Sequence, residues 1–96
     1  MTREEIEKKY QDKGLVTRYI IDKPGEVYEP HRHGEVWLYT LKGSAKIKLD
    51  DKQWITVAPL QEVTIDTNQL HEAIVGNEGW EYVFAASAEE IKRQQL

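Results

Sequence analysis

The stretch GEVYEPHRHGEVWLYTLKG, residues 25–43, carries two histidines in an i,i+2 pair, His31 and His33, between Gly25, Gly34 and Gly43. In an extended strand, residues two apart share a face, so both imidazoles are expected to project the same way. Two neutral imidazoles converging from one strand supply half of a tetrahedral or octahedral metal site. A third ligand must come from a neighbouring strand, and His71, the third histidine of the chain, opens a segment of suitable length.

Outward from this stretch the pattern stays β. Strands are predicted near 15–23, 26–31, 35–42, 44–50, 52–58, 61–66, 70–75 and 80–86. Ala45, Ile47 and Leu49 alternate with Lys46 and Lys48, and Val63 and Ile65 alternate with Glu62, Thr64 and Asp66. That period of two gives each strand one wet and one dry face. Turn signals separate the segments: Pro24-Gly25, Gly34, Lys42-Gly43, Asp50-Asp51, Pro59, Asn68 and Gly76-Asn77-Glu78-Gly79. Many short strands without helical crossovers imply an all-β antiparallel sandwich or barrel.

The ends read as helices. Over residues 1–14, Thr2 and Glu5 have the spacing of a capping box, and Gly14 suits a left-handed helix end. Glu4 with Lys8 and Glu5 with Lys9 are spaced as i,i+4 ion pairs. Only Ile6 and Tyr10 make an apolar stripe, so this helix is expected to pack at an edge rather than found a core. Residues 87–96 repeat the grammar, with Ser87 ahead of Glu90 and then Ile91 and Leu96, as a terminal tail or helix.

Composition narrows the function classes. Ninety-six residues make one domain, 1–96, with the β region at 15–86. Thirteen Lys plus Arg against seventeen Asp plus Glu give a net charge of −4, without the basic face that nucleic acid requires. No cysteine is present, which removes thiolate metal sites, disulfides and Cys nucleophiles together. No apolar run approaches the ~18 residues of a membrane span, and the charged N-terminus is unlike a signal peptide. A soluble, cytoplasmic domain is expected, with neither nucleic acid nor membrane as partner.

These residues resemble the cupin family of small double-stranded β-helix barrels, jelly-roll-like and antiparallel. The family's first motif, G-x5-H-x-H-x3,4-E-x6-G, matches Gly25-EVYEP-His31-Arg32-His33 position for position, and Gly43 closes it. The second, G-x5-P-x-G-x2-H-x3-N, fits the spacing of Leu60 to Val75 with His71 as its single identity. Asp66 and Asn68 stand at its turn positions, where both tolerate bent backbone. The likeness covers residues 15–86. It implies a metal held by His31, His33 and His71, dioxygenase or isomerase chemistry, and a homodimer; three Trp and exposed edge strands point to a dimer independently.

One departure bears on the ligand set. Counted back from Gly43, the family's glutamate falls on Val36, and the link from His33 is one residue short. Glu35 is the nearest carboxylate. If the strand runs unbroken through Gly34, Glu35 shares the face of the histidines; if the register is fixed from Gly43, Val36, Leu38 and Thr40 face inward. A one-residue slip exchanges the two. The metal is then Fe, Mn, Ni, Zn or Cu, bound by three His or by three His with Glu35. It would hold a small ligand bearing a carboxylate or enediol oxygen. The alternative is a metal-free pocket for a small molecule in a binding or sensing module. Trp37, Trp54, Trp80, Tyr39 and Tyr82 are candidates for pocket, core or interface. Arg32, Asp66 and Glu72 are expected at the surface, and Glu29 is a candidate acceptor for an imidazole N–H.

Overall fold

Two long strands organise the chain. In the computed structural model, which describes residues 1–96, β3 (Val36–Leu49) and β6 (His71–Ala86) pair antiparallel over almost their whole length. Around them lie α1 (Arg3–Gln11), β1 (Val16–Asp22), β2 (Val27–His31), β4 (Trp54–Val57), β5 (Glu62–Ile65) and α2 (Ala88–Arg93). The first half of β3 faces Trp80–Ala86 of β6, with β5 and β1 on the outer edges. The second half of β3 faces His71–Val75, flanked by β4 and β2. Each long strand therefore serves two four-stranded layers, which is the all-β, cupin-type barrel expected from the sequence.

The sequence places turns at Gly43 and at Gly76–Gly79, splitting each long strand in two. The structure instead has continuous strands that bend there. Gly43 and Gly79 both have positive φ, +73° and +82°, and they meet across the corner. A Cβ on Gly43 would lie 2.0 Å from the Gly79 carbonyl oxygen. The register shifts between Gly43 and Ala45, where Ser44 faces the four residues Gly76 to Gly79. A local insertion of this kind bends a strand without ending its pairing, and glycine is the residue that tolerates it.

Between the layers lies the main core. Val36, Leu38, Ala45 and Ile47 of β3 meet Trp80, Tyr82 and Phe84 of β6 and Val63 and Ile65 of β5. The outer face of the first layer is covered too. Ile6 and Tyr10 of α1 are fully buried against Val83 and Ala85, with Trp37 and Tyr39 packed beside them. So α1 founds a second small core rather than resting at an edge, and residues 82–86 are buried on both faces. A nine-residue helix is marginal in water by itself. Burying Ile6 alone contributes about 1.5–3 kcal/mol, which outweighs what capping supplies.

The capping box forms: Thr2 Oγ1 accepts from the Glu5 amide, and the Glu5 carboxylate accepts from the Thr2 amide. Because Glu5 is spent there, the ion pairs differ from those expected. They are Arg3–Glu7 at 3.0 Å and Lys8–Asp12 at 3.1 Å. At the other end Ser87 caps α2 through the Glu90 amide. No helix is long and apolar enough to cross a membrane.

Gly43→Ala should lower the unfolding free energy by at least about 3 kcal/mol, since strained backbone and a clash with fixed backbone add. Urea unfolding checks this. A loss under about 1 kcal/mol, the cost of positive φ by itself, would mean the corner is not a close contact.

Candidate metal centre and its pocket

His31 ends β2 and stands directly opposite His71, which begins β6. Pro30, which has no N–H to donate, falls within the register shift between Tyr28 and His31. The strand ends at His31, so His33 reaches the cluster from the loop beyond it rather than by strand alternation. Arg32 points away, as expected, and donates to the Asn68 carbonyl at 2.8 Å. One nitrogen from each of the three imidazoles lies within 4.8 Å of the others. Ring centroids are 4.1 Å apart for His31–His71, 4.4 Å for His33–His71 and 5.2 Å for His31–His33.

The other nitrogen of every ring is already committed. Nδ1 of His31 lies 2.6 Å from the Glu29 carbonyl, Nδ1 of His33 2.7 Å from Gly34 O, and Nδ1 of His71 2.9 Å from Gln69 O. A carbonyl can only accept, so each Nδ1 carries the proton and each neutral ring keeps its lone pair on Nε2. Such bonds fix the tautomer and orientation of metal-ligating histidines. Glu29 thus contributes through its backbone and not through its carboxylate. His71 is only 5% exposed, and burial, reinforced by the neighbouring His31 and His33, pushes its pKa down to about 4. It stays neutral, and hence a competent ligand, throughout the physiological range.

Of the four residues singled out by sequence, three are brought together. Val36 is 1% exposed and pairs with Ile65, so the register fixed from Gly43 is the one adopted. Glu35 is left exposed, outside the cluster. The carboxylate beside the centre is instead Glu90 of α2, 3% exposed. A Cβ on Gly34 would lie 2.1 Å from Glu90 Oε1, so the absence of a side chain at 34 is what admits it. Burial alone would raise this carboxyl. Hydrogen bonds from Gln94 and the Gly34 peptide, with the charge of Arg93, hold it below the usual range. Gly34 is gripped from two sides, by Glu90 and by His33 Nδ1 on its carbonyl. Ser87 and Glu90 signalled only a helix cap; nothing local in the sequence places that carboxylate against residue 34.

The imidazoles open onto a cavity of about 130 Å³ between the layers. Leu38, Ile47, Ile65, Ala73 and Phe84 line it, and Gln94 and Leu96 reach it from the end of the chain. Trp80 and Tyr82 stack in its wall, centroids 3.7 Å apart. The Trp80 indole donates to Thr40 Oγ1 at 2.8 Å. Tyr28 and Tyr82 both donate to Asp22 Oδ2, at 2.7 and 3.0 Å. Burial pushes the Asp22 carboxyl up despite these bonds, and it pushes both phenols up as well. Of the other candidate aromatics, Trp37 and Tyr39 belong to the α1 core and Trp54 is exposed. Asp66 is exposed, and Glu72 pairs with Lys48 on the outer face.

The family model of the AraC-like ligand binding domain matches residues 13–85. The chain belongs to this family. No curated protein sequence matches the chain. Among solved structures, this AraC-like domain is similar to a cupin superfamily protein from Desulfitobacterium hafniense, with TM-score 0.66, 19% identity, and coverage of 76% of this chain and 66% of that one. A cupin-like protein from Thermotoga maritima gives TM-score 0.69 and 16% identity over 76% and 56%. A variant of the oxalate decarboxylase of Bacillus subtilis gives 0.66 and 25% over 74% and 20%. That enzyme has Mn(II) centres. The domain spans from a fifth to two thirds of these chains, and the likeness establishes the cupin fold.

Glu90→Ala should weaken divalent-metal binding about 10- to 100-fold, the usual cost of losing a group that orients a ligand. Glu90→Gln, which can still accept from the peptide, should recover most of it. Calorimetric titration of Zn(II) checks both, and equal affinities in all three proteins would show that α2 has no part in the centre.

Proposed function

We propose that the domain binds a divalent transition metal through His31, His33 and His71 and uses it to hold a small oxygen-bearing molecule in the adjoining cavity. What carries this is the set of three Nδ1 hydrogen bonds to backbone carbonyls, which leaves an Nε2 lone pair free on each of three rings whose ligand nitrogens lie within 4.8 Å of one another. Three imidazole nitrogens gathered this closely, with their rings held by main chain, are a donor set that a divalent cation can take up in exchange for water. Fe, Mn, Ni, Zn and Cu all accept imidazole, and the Mn(II) centres of the B. subtilis enzyme lend support to Mn. When bound, such an ion supplies Lewis acidity toward an oxygen ligand.

The chain's own residues suit recognition better than acid–base turnover. Tyr28 and Tyr82 spend their protons on Asp22, and Glu90 is committed to α2 and Gly34. No free acid or base is left in the wall beside the three ligands. The match to a ligand-binding family points the same way. Dioxygenase- or isomerase-like chemistry is the second reading, favoured by a cavity that opens directly onto the three imidazoles.

The outer face of the second layer supports a homodimer. Val27, Ile74 and Trp54 are all exposed there, on β2, β6 and β4, with Lys46 and Lys48 of β3 between the last two and no helix across them. Gel filtration should give a dimer at micromolar concentration and a monomer for Ile74→Glu; a monomeric wild type would contradict it.

The metal is tested by elemental analysis of untagged protein purified without chelator. About one equivalent is expected in the wild type and little in His31→Ala or His71→Ala. No metal, and none taken up on titration, would overturn the proposal.

A further inference from the structure

The cavity wall is saturated, and this restricts the ligand. Apart from Gln94, each hydrogen-bond donor facing the cavity has an internal partner: the phenols on Asp22, the Trp80 indole on Thr40, and the three Nδ1 protons on backbone carbonyls. Gln94 gives one amide proton to Glu90 Oε2 at 2.7 Å and keeps the other. No Lys or Arg lines the space. A sugar or polyol placed here would leave most of its hydroxyls unpaired, at a cost of about 1–3 kcal/mol for each buried group. A phosphate would meet no cation besides the metal, and its remaining charged oxygens would lie against apolar wall without donors.

Charge narrows the class further. Three neutral imidazoles hold a divalent ion without neutralising it, since Glu35 is outside the cluster and Glu90 is tied to Arg93, Gln94 and Gly34. The ion would therefore keep its two positive charges at the edge of a half-open, mostly apolar pocket, where an anion is favoured. Size sets the last limit. The cavity, about 130 Å³, is close to the roughly 150 Å³ that accepts benzene in an engineered apolar core.

Resting on the metal reading above, we propose that the ligand is a compact monocarboxylate of about six to nine non-hydrogen atoms in all, with a branched-aliphatic or aromatic body. Its carboxylate faces the metal, and its body packs on Trp80, Phe84, Leu38 and Ile47. Gln94 offers the one spare donor of the wall.

The test uses Co(II)-loaded protein, whose visible bands report the metal's surroundings, with calorimetry in parallel. Benzoate and 3-methylbutanoate should bind and shift the bands, at least tenfold more tightly than benzyl alcohol, L-arabinose or inorganic phosphate. Methyl NMR signals of Ile47 and Ile65 should move with the same midpoint, and Ile20→Trp at the cavity wall should weaken the acids about tenfold or more while Co(II) still binds. If Co(II) binds and the acids do no better than the alcohol, or arabinose or phosphate matches them, the ligand class is wrong and the metal reading stands. Acid binding that is equally tight without metal would contradict the metal-facing carboxylate. If Co(II) itself fails to bind, both readings fall.

Discussion

Three backbone carbonyls, of Glu29, Gly34 and Gln69, each take the Nδ1 proton of a histidine, and the rest of the site follows from that constraint. Free imidazoles exchange tautomers and rotate. Here each ring is fixed by main chain whose position the barrel sets, so its lone pair is aimed before any ion arrives. The arrangement needs β2 beside the start of β6, and the loop after β2 held to the segment before β6, where the Asn68 amide donates to the His33 carbonyl. It also needs residue 34 to be glycine, because the Glu90 carboxylate occupies the place of its side chain.

The barrel meets these needs by making two strands do the work of four. β3 and β6 bend together at Gly43 and Gly79 and pass from one layer to the other. The inner faces then close on an apolar cavity with the histidines at one side, while α1 seals the outer face of the first layer. The second layer keeps an uncovered outer face. Structure and function share residues at several points: Trp80 and Tyr82 belong to the core and also to the cavity wall. Ligand recognition is thus built from packing and main-chain hydrogen bonds more than from dedicated polar side chains.

Much of this is legible in the sequence, for identifiable reasons. Period-two alternation picks out Ala45, Ile47 and Leu49 as the inward residues of the second half of β3, and residue spacing points to His71 as the partner of His31 and His33. The failures share a cause, since each depends on contacts across the fold. Gly43 looks the same in a sequence whether it ends a strand or bends one; only the approach of Gly79 decides. Glu35 is a candidate because it is near His33 in the chain, but strand register assigns the inward place to Val36. Glu90 cannot be found locally, because docking of α2 brings it to Gly34. For the histidine pair, strand alternation is an incomplete reason, since His33 lies past the end of its strand.

The central claim is that the protein sets the tautomers itself, and long-range nitrogen–proton NMR correlation of the metal-free protein near pH 7.5 measures this directly. His31, His33 and His71 should all appear as Nδ1–H tautomers, each with an unprotonated Nε2, before any metal is added. Even one ring in the Nε2–H form, or averaging between the two, would contradict the account.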